Sequence, residues 1–524
     1  MQGISACPEA QPGTPSWVET ALCLRRLFLP PDSEGVVVTA DATAENRAFL
    51  KALFPAARIR PAPKAEVLAA LTARFTEAIS DEAVWGLARR MPALSARHVL
   101  TPGQHRLLWS LGIVLAVALY AAPQAALNAI FAMLTLGFLA SALFRGLLAL
   151  VAMRPVRAPA PPDDTDLPSY TVLVPLYREA AALPGLARAL LALDYPRARL
   201  DIKLAVEADD AETVEAARRL GAPFEVVIVP PGGPRTKPKA CNYALAFARG
   251  ELLVIYDAED RPAPDQLRKA AAAFRAAPRH MACLQARLAF HNEKTNWLTR
   301  MFAIDYALWF EVLLPGLDRL GVPMPLGGTS NHFRMAVLRQ IGAWDAFNVT
   351  EDADIGIRLS QFGFRTGMLD SVTLEECPAH MGAWLRQRSR WLKGYMQTWL
   401  VHMRDPAALL RRTGLAGFLA FQLFIGGGVL FAVANPLLWL GLILSWLLHW
   451  QLWGIGFGVV PGTGLLVANL VLTCMAAAGP RRSLYGLTVM AYWALVSLAG
   501  YRALWQLATR PFYWEKTSHG AGPA

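Results

Sequence analysis

The chain has 524 residues, of which 54% are hydrophobic and only 17% charged, with a formal net charge of +11. So little charge excludes an ordinary water-soluble enzyme. The apolar excess concentrates near 107–152 and 414–506, which points to an integral membrane protein, and the basic balance then reads as cytoplasmic flanks beside anionic lipid rather than as a nucleic-acid footprint.

The start, Met1 to Gly13, lacks a basic stretch followed by an apolar one, so no cleaved signal peptide is expected. Residues 17–100 read as a small α/β domain. Gly35 to Ala40 predicts a strand, Ala42 to Phe54 and Lys64 to Phe75 predict helices, and Ala57 to Arg60 fits a strand between them. In that pattern the segment resembles the N-terminal domain of type II secretion ATPases. The resemblance implies a docking module, a place where an export or regulatory subunit could attach.

Two membrane helices follow, within 105–153 and separated at Pro123, and the basic tetrapeptide Arg154 to Arg157 marks the cytoplasmic side. Ala158 to Leu167 reads as a linker. Within 168–382, strands alternate with helices: Tyr170 to Pro175, Asp201 to Val206, Phe224 to Val229 and Leu252 to Tyr256 are strands, with helices at Leu183 to Leu193, Thr213 to Leu220 and Lys239 to Arg249. That alternation predicts a Rossmann-like, mostly parallel sheet with ligands at the carboxyl ends of its strands. An amphipathic interface helix is expected over 383–405. Four apolar runs over 414–506 then give six crossings in all, with Arg481 and Arg482 facing outward against the positive-inside tendency. Residues 507–524 form a cytosolic tail. The six cysteines, at 7, 23, 241, 283, 377 and 474, have no metal-binding spacing and read as reduced thiols.

The chemistry concentrates in four places. Asp257-Ala258-Glu259-Asp260 ends a strand, and two carboxylates one residue apart can share a hard cation with diphosphate oxygens; Mg²⁺ or Mn²⁺ suits such ligands. A turn or helix cap is the plainer use of such residues. Glu351 and Asp352 precede a helix, where a carboxylate serves as an N-terminal cap or as a base, and both uses can coexist. On the amphipathic segment, Gln387, Arg388, Arg390 and Trp391 read either as membrane-interface anchors or as a cation and an aromatic face for a phosphate and a sugar. Gly327-Gly328-Thr329-Ser330-Asn331 reads as a close-approach loop or an ordinary turn.

Together, Val172 to Pro175, Lys239 to Asn242, Asp257 to Asp260, Thr350 to Asp352 and Gln387 to Trp391 resemble the family 2 membrane glycosyltransferases, the superfamily of cellulose, chitin and hyaluronan synthases. The resemblance spans roughly 165–520. It implies a GT-A fold, a nucleotide-diphospho-sugar donor with UDP-glucose favoured, and inverting transfer to a growing β-glycan with export through the bacterial inner membrane. Transfer to a lipid-linked acceptor and a non-catalytic secretion scaffold are the alternatives. By motif match, Asp257 and Glu259 would hold the metal and diphosphate. Asp352, with Glu351, would be the base. Glu207 or Asp209 would contact the nucleotide, with Lys239 near it, and Gln387, Arg390 and Trp391 would serve acceptor and diphosphate. Gly328 would border the acceptor. The segment containing Trp514, Lys516 and Thr517 is similar to the gating segment of polymer synthases.

Overall fold

The computed structural model describes residues 17–153, 166–447, 451–452, 455–456, 460–481 and 483–515. The basic tetrapeptide and the linker expected over 154–167 fall largely outside these.

The N-terminal module carries a three-stranded sheet, β1 (Phe28–Leu29), β2 (Val36–Thr39) and β3 (Arg58–Pro61), in which β2 pairs antiparallel with β1 and parallel with β3. The crossover helix Ala44–Leu53 starts where the Thr43 side chain accepts from the Asn46 backbone. The helix expected to stop at Phe75 continues to Arg90. Its apolar stripe persists through Ile79, Ala83 and Leu87, and its second half docks on the next domain. There the Asn242 side chain donates to Ala83 O at 2.9 Å, and Trp85 meets Phe347 with ring centroids 5.1 Å apart.

The central domain is built on eight strands: β4 (Tyr170–Leu176), β5 (Leu200–Glu207), β6 (Phe224–Val229), β7 (Leu252–Ile255), β8 (Arg261–Pro262), β9 (Met281–Phe290), β10 (Asn331–Arg334) and β11 (Arg365–Glu375), in the order β6-β5-β4-β7-β10-β9-β11-β8. The four strands legible in the sequence form the parallel half. The other half is mixed: β10 runs antiparallel to both β7 and β9, β11 lies parallel to β9, and β8 antiparallel to β11. Both faces are covered, so apolar runs are continuous rather than alternating. Leu173 and Ile255 join one core, Val172, Val174 and Val254 the other.

This direction pattern gathers several segment ends at one edge. β5, β7 and β11 all finish there, delivering Glu207, Asp257 and Glu375, and reversed β10 begins there, just after Gly328. The Ser330 backbone N–H donates to Ile255 O at 2.8 Å and fixes that junction.

Helices Pro102–Ala121, Pro123–Ala152, Pro406–Leu444 and Leu484–Thr509 are long and apolar enough to cross a membrane, and Gly462–Ala478 is a shorter apolar helix. Leu107, Trp109, Ile113, Val117 and Tyr120 on the first are fully available to lipid. Two of the expected four C-terminal runs, 414–434 and 436–450, turn out to belong to one continuous apolar stretch. Pro436 sits inside it, which membrane helices tolerate because neighbours satisfy the freed backbone. The helix Leu484–Thr509 has contacts with the central domain and the amphipathic helix at its two ends. Trp297 Nε1 donates to Thr488 Oγ1 at 2.9 Å, and just beyond its far end Lys393 Nζ donates to Tyr513 O at 2.7 Å. It lies beside the amphipathic helix, observed over Met381–His402, with Leu392 and Met396 against Ala499 and Ala503. Arg481 accordingly pairs with Glu293 of the central domain at 3.6 Å. This ion pair places Arg481 beside the central domain.

Candidate active site

A cavity of about 710 Å³ opens at the gathered strand ends and runs on between the apolar helices. Most of its carboxylates come from the ends of β5, β7 and β11 and from one helix, with Glu179 and Asp305 added from elsewhere. Asp257 follows β7 and forms an ion pair with Lys237, whose Nζ also donates to Gly328 O at 2.7 Å. The Asp257 backbone N–H is held by Asp260 Oδ2 at 2.7 Å, and Asp260 accepts in turn from Thr329 Oγ1. Burial and the Asp257 charge push Glu259 up to about 7. Glu375, at the end of β11, is raised well above the ordinary carboxylate range by burial and by the charges of Asp260, Glu259 and Asp257.

Four carboxylates crowded into one buried edge, with one lysine among them, form a site that accepts further positive charge. Asp257 and Glu259 supply oxygen donors suited to Mg²⁺ or Mn²⁺. Among the described residues no group of three His, Cys, Asp or Glu is arranged as a ready ligand set. Such a cation would therefore complete its shell from a bound diphosphate, as Mg²⁺ commonly does.

The opposite wall is the first turn of the helix Glu351–Gln361. Asp352 Oδ1 accepts from the Ala353 backbone at 2.7 Å. Its other oxygen faces the first wall: a Cβ added to Gly328 would lie 3.3 Å from Asp352 Oδ2. The cap reading and the cleft position thus hold together. Burial raises Glu351 to about 7, with Asp352 adding repulsion and Lys237 opposing it; burial raises Asp352 too. The helix Met381–His402 closes against Thr350 because position 394 is glycine; any side chain there would strike Thr350.

From that helix, Gln387, Arg390 and Trp391 line the cavity. The charges of Glu351, Asp352 and Asp257 act on Arg390, whose guanidinium lies 5.2 Å from the Trp514 ring. Trp391 stacks on Tyr306 at 6.0 Å. Gln387 Oε1, Arg390 Nε and Trp514 Nε1 are buried with no hydrogen-bond partner, an arrangement that awaits a ligand. Arg388 also lines the cavity. It pairs with Asp305, donates to Tyr492 OH at 2.6 Å, and sits 4.9 Å from the Phe302 ring. Those contacts brace the helix, while its Nε is buried without a hydrogen-bond partner.

Of the expected nucleotide contacts, Glu207 lines the cavity but Asp209 and Lys239 do not. Asp209 pairs with Arg235 at 2.7 Å on the rim. Lys239 is buried, bonded to Glu207 at 3.2 Å and to the carbonyls of Pro230 and Gly232, so it shapes the loop after β6. Gly328 borders both walls, and Trp514 lines the cavity. Lys516 and Thr517 lie outside the described residues. Lys237, Arg235 and Glu375 were missed from sequence. Lys237 had a signal: it opens the helix Lys237–Leu245, where the helix dipole disfavours a cation, so its placement calls for a nearby anion.

Residues 168–394 match the family model described as "Glycosyltransferase like family 2". The chain is 26% identical over 415 residues to the beta-monoglucosyldiacylglycerol synthase of Synechocystis sp., covering 72% of this chain and 82% of that protein. It is 24% identical over 234 residues to the probable glycosyltransferase YdaM of Bacillus subtilis, covering 44% of this chain and 56% of that one. Among solved structures, mannosyltransferase PcManGT from Pyrobaculum calidifontis, in complex with GDP-Man and Mn²⁺, aligns over 73% of this chain and 99% of that chain at 19% identity with a TM-score of 0.48.

Proposed function

We propose that this glycosyltransferase, whose residues 168–394 match the family 2 model, moves one sugar from a nucleotide-diphospho-sugar to the headgroup of a membrane lipid. One observation carries the choice of acceptor. The cavity that begins at Asp257 and Asp352 continues between the apolar helices, where Phe138, Phe424, Phe431 and Leu472 line it. An acyl chain fits that end while a headgroup hydroxyl reaches Asp352. The glucosyldiacylglycerol synthase relative supports the same reading and favours glucose, so UDP-glucose heads the donor candidates.

In this reading the nucleotide end sits by Glu207 and Arg235. Asp257 and Glu259 would hold a divalent cation, whose charge would offset that of the leaving diphosphate. Lys237 and Arg390 add fixed positive charge along the same path. Asp352 removes the proton of the acceptor hydroxyl. The freed oxygen bonds to the anomeric carbon from the face opposite the diphosphate, and the bond between that carbon and the diphosphate oxygen breaks with its electron pair leaving on the nucleoside diphosphate. The product linkage is then inverted to β. The catalytic domain faces the cytosol at the inner membrane, anchored by the apolar helices.

The test is transfer from a labelled nucleotide-sugar panel by purified protein in lipid with Mg²⁺ or Mn²⁺. A single-sugar product that partitions into organic solvent is expected, and it should vanish in Asp352→Asn. A water-soluble, lengthening polymer would replace this reading with the processive synthase one.

A further inference from the structure

Arg145 lies inside the apolar helix Pro123–Ala152, about two turns from its end. It lines the apolar part of the cavity. Its Nε is buried with no hydrogen-bond partner, and the Phe424 ring lies 5.8 Å from its guanidinium. Asp305, the acidic group whose charge reaches it, is already bonded to Arg388.

The facing wall is shaped around this guanidinium. A π-helical turn, Gln422–Gly426, is followed by Gly427 and Gly428. Ser141 Oγ donates to Leu423 O at 2.9 Å, satisfying a carbonyl that the wider turn leaves available. A Cβ on Gly428 would come within 3.3 Å of Arg145 Nη2, so glycine keeps the space beside the guanidinium open. An arginine held among apolar helices without a matched anion of its own is costly and marks a functional position. A phosphate gives it paired, charge-assisted hydrogen bonds that an ester or hydroxyl cannot match.

We propose that Arg145 binds the phosphate of the acceptor, which makes that acceptor an anionic phospholipid with a free headgroup hydroxyl rather than a neutral glyceride. This rests on the lipid-acceptor reading above and adds the acceptor's charge. The chemistry is unchanged: the headgroup hydroxyl loses its proton to Asp352, and the nucleoside diphosphate leaves with the bonding pair.

A competition assay tests it. Full-length protein is placed in vesicles containing phosphatidylglycerol and diacylglycerol with identical acyl chains, and the two glycolipid products are measured from one tube. Their ratio does not depend on how much protein is folded. Wild type should favour the phosphatidylglycerol product about tenfold or more. Arg145→Gln should bring the ratio to about one, and Arg145→Lys should fall between. An Arg145→Gln ratio equal to wild type, or a wild-type preference for diacylglycerol, overturns the proposal while leaving lipid transfer standing. A polymer with no lipid product overturns both. Should Arg145→Gln fail to accumulate, Gly428→Leu fills the space beside the guanidinium and must lower the ratio; an unchanged ratio there overturns the proposal equally.

Discussion

Lys237 and Asp257 are paired inside the cavity, and the same ammonium bonds to the Gly328 carbonyl. Gly328 in turn faces Asp352. The lysine is therefore the joint between the two acidic walls. Burial works against its charge, yet Asp257 and Glu351 hold its pKa above the ordinary lysine value. Lys237→Gln removes a charge-assisted bond worth about 1.5–3 kcal/mol. Steady-state kinetics should find kcat/KM lower by roughly tenfold to a hundredfold, with the divalent-metal concentration giving half-maximal rate shifted. Unchanged kinetics would show that Asp257 needs no cation beside it.

Glu351 and Asp352 are buried neighbours, and Glu351 titrates near 7. A base must be unprotonated, and burial raises Asp352 above the ordinary aspartate value, so the rate should climb along an acidic limb displaced upward from that value. Removing the neighbouring negative charge with Glu351→Gln makes Asp352 easier to ionise, so this acidic limb should move to lower pH. Lys237 and Arg390, which face the pair, oppose its repulsion, and Arg390→Gln should move the limb the other way. A pH–rate profile of kcat/KM for each variant decides it; a limb that stays put in Glu351→Gln would disconnect the pair.

How much of this was legible beforehand depends on whether local pattern or tertiary contact decided the outcome. The parallel half of the sheet was readable because β4 to β7 are apolar runs broken by helical segments. The mixed half was not, because the reversal at β10 is four residues long and follows a glycine loop. Asp257 and Asp352 were nameable from their motifs, but that both border Gly328 is a property of the sheet order. Arg388 and Arg390 are two residues apart and chemically identical. Only the helix phase sends one to Asp305 and the other toward the acidic walls.

Arg388 therefore gives a stability prediction rather than a catalytic one. Arg388→Ala removes the ion pair with half-buried Asp305 and leaves Tyr492 OH with only Trp384 Nε1 as its partner. The expected cost is about 1–3 kcal/mol, read as a lower thermal unfolding midpoint. Asp305→Ala should cost less in the Arg388→Ala background than alone, since the interaction is already gone. Gln387→Ala, one residue away, should leave the midpoint near wild type and raise KM for the acceptor. Equal destabilisation by both would mean that the helix face has no division of labour.

Asp345 ties the N-terminal module to the catalytic domain. It accepts from Ser95 Oγ at 3.0 Å and from the Ala96 and Phe347 backbones. Burial, then the Asp354 charge, push it up to about 6, above the roughly 3.9 of an unfolded aspartate. Between those values the folded chain holds more protons than the unfolded one, so this group's contribution to stability falls as pH rises from about 4 to about 6 and is level above. Asp345→Asn should flatten that part of the stability profile measured by denaturant melts. A slope unchanged in the variant would assign it to other carboxylates.

The last prediction concerns the segment after the final helix. Gln397 Nε2 donates to Pro511 O at 3.1 Å, Phe512 packs 5.4 Å from Phe347, and Glu515 makes two 2.8 Å bonds to Arg502. These contacts hold Trp514 over Arg390. Truncation after Arg510 removes that ring and opens the cavity above the acidic walls to water, which weakens every charge interaction in it. Turnover should fall by roughly tenfold or more, while the shortened chain still inserts, since its apolar helices are intact. Trp514→Ala should reproduce most of the loss and Trp514→Phe less of it. Full turnover in the truncated chain would leave the segment a structural strap with no part in the reaction.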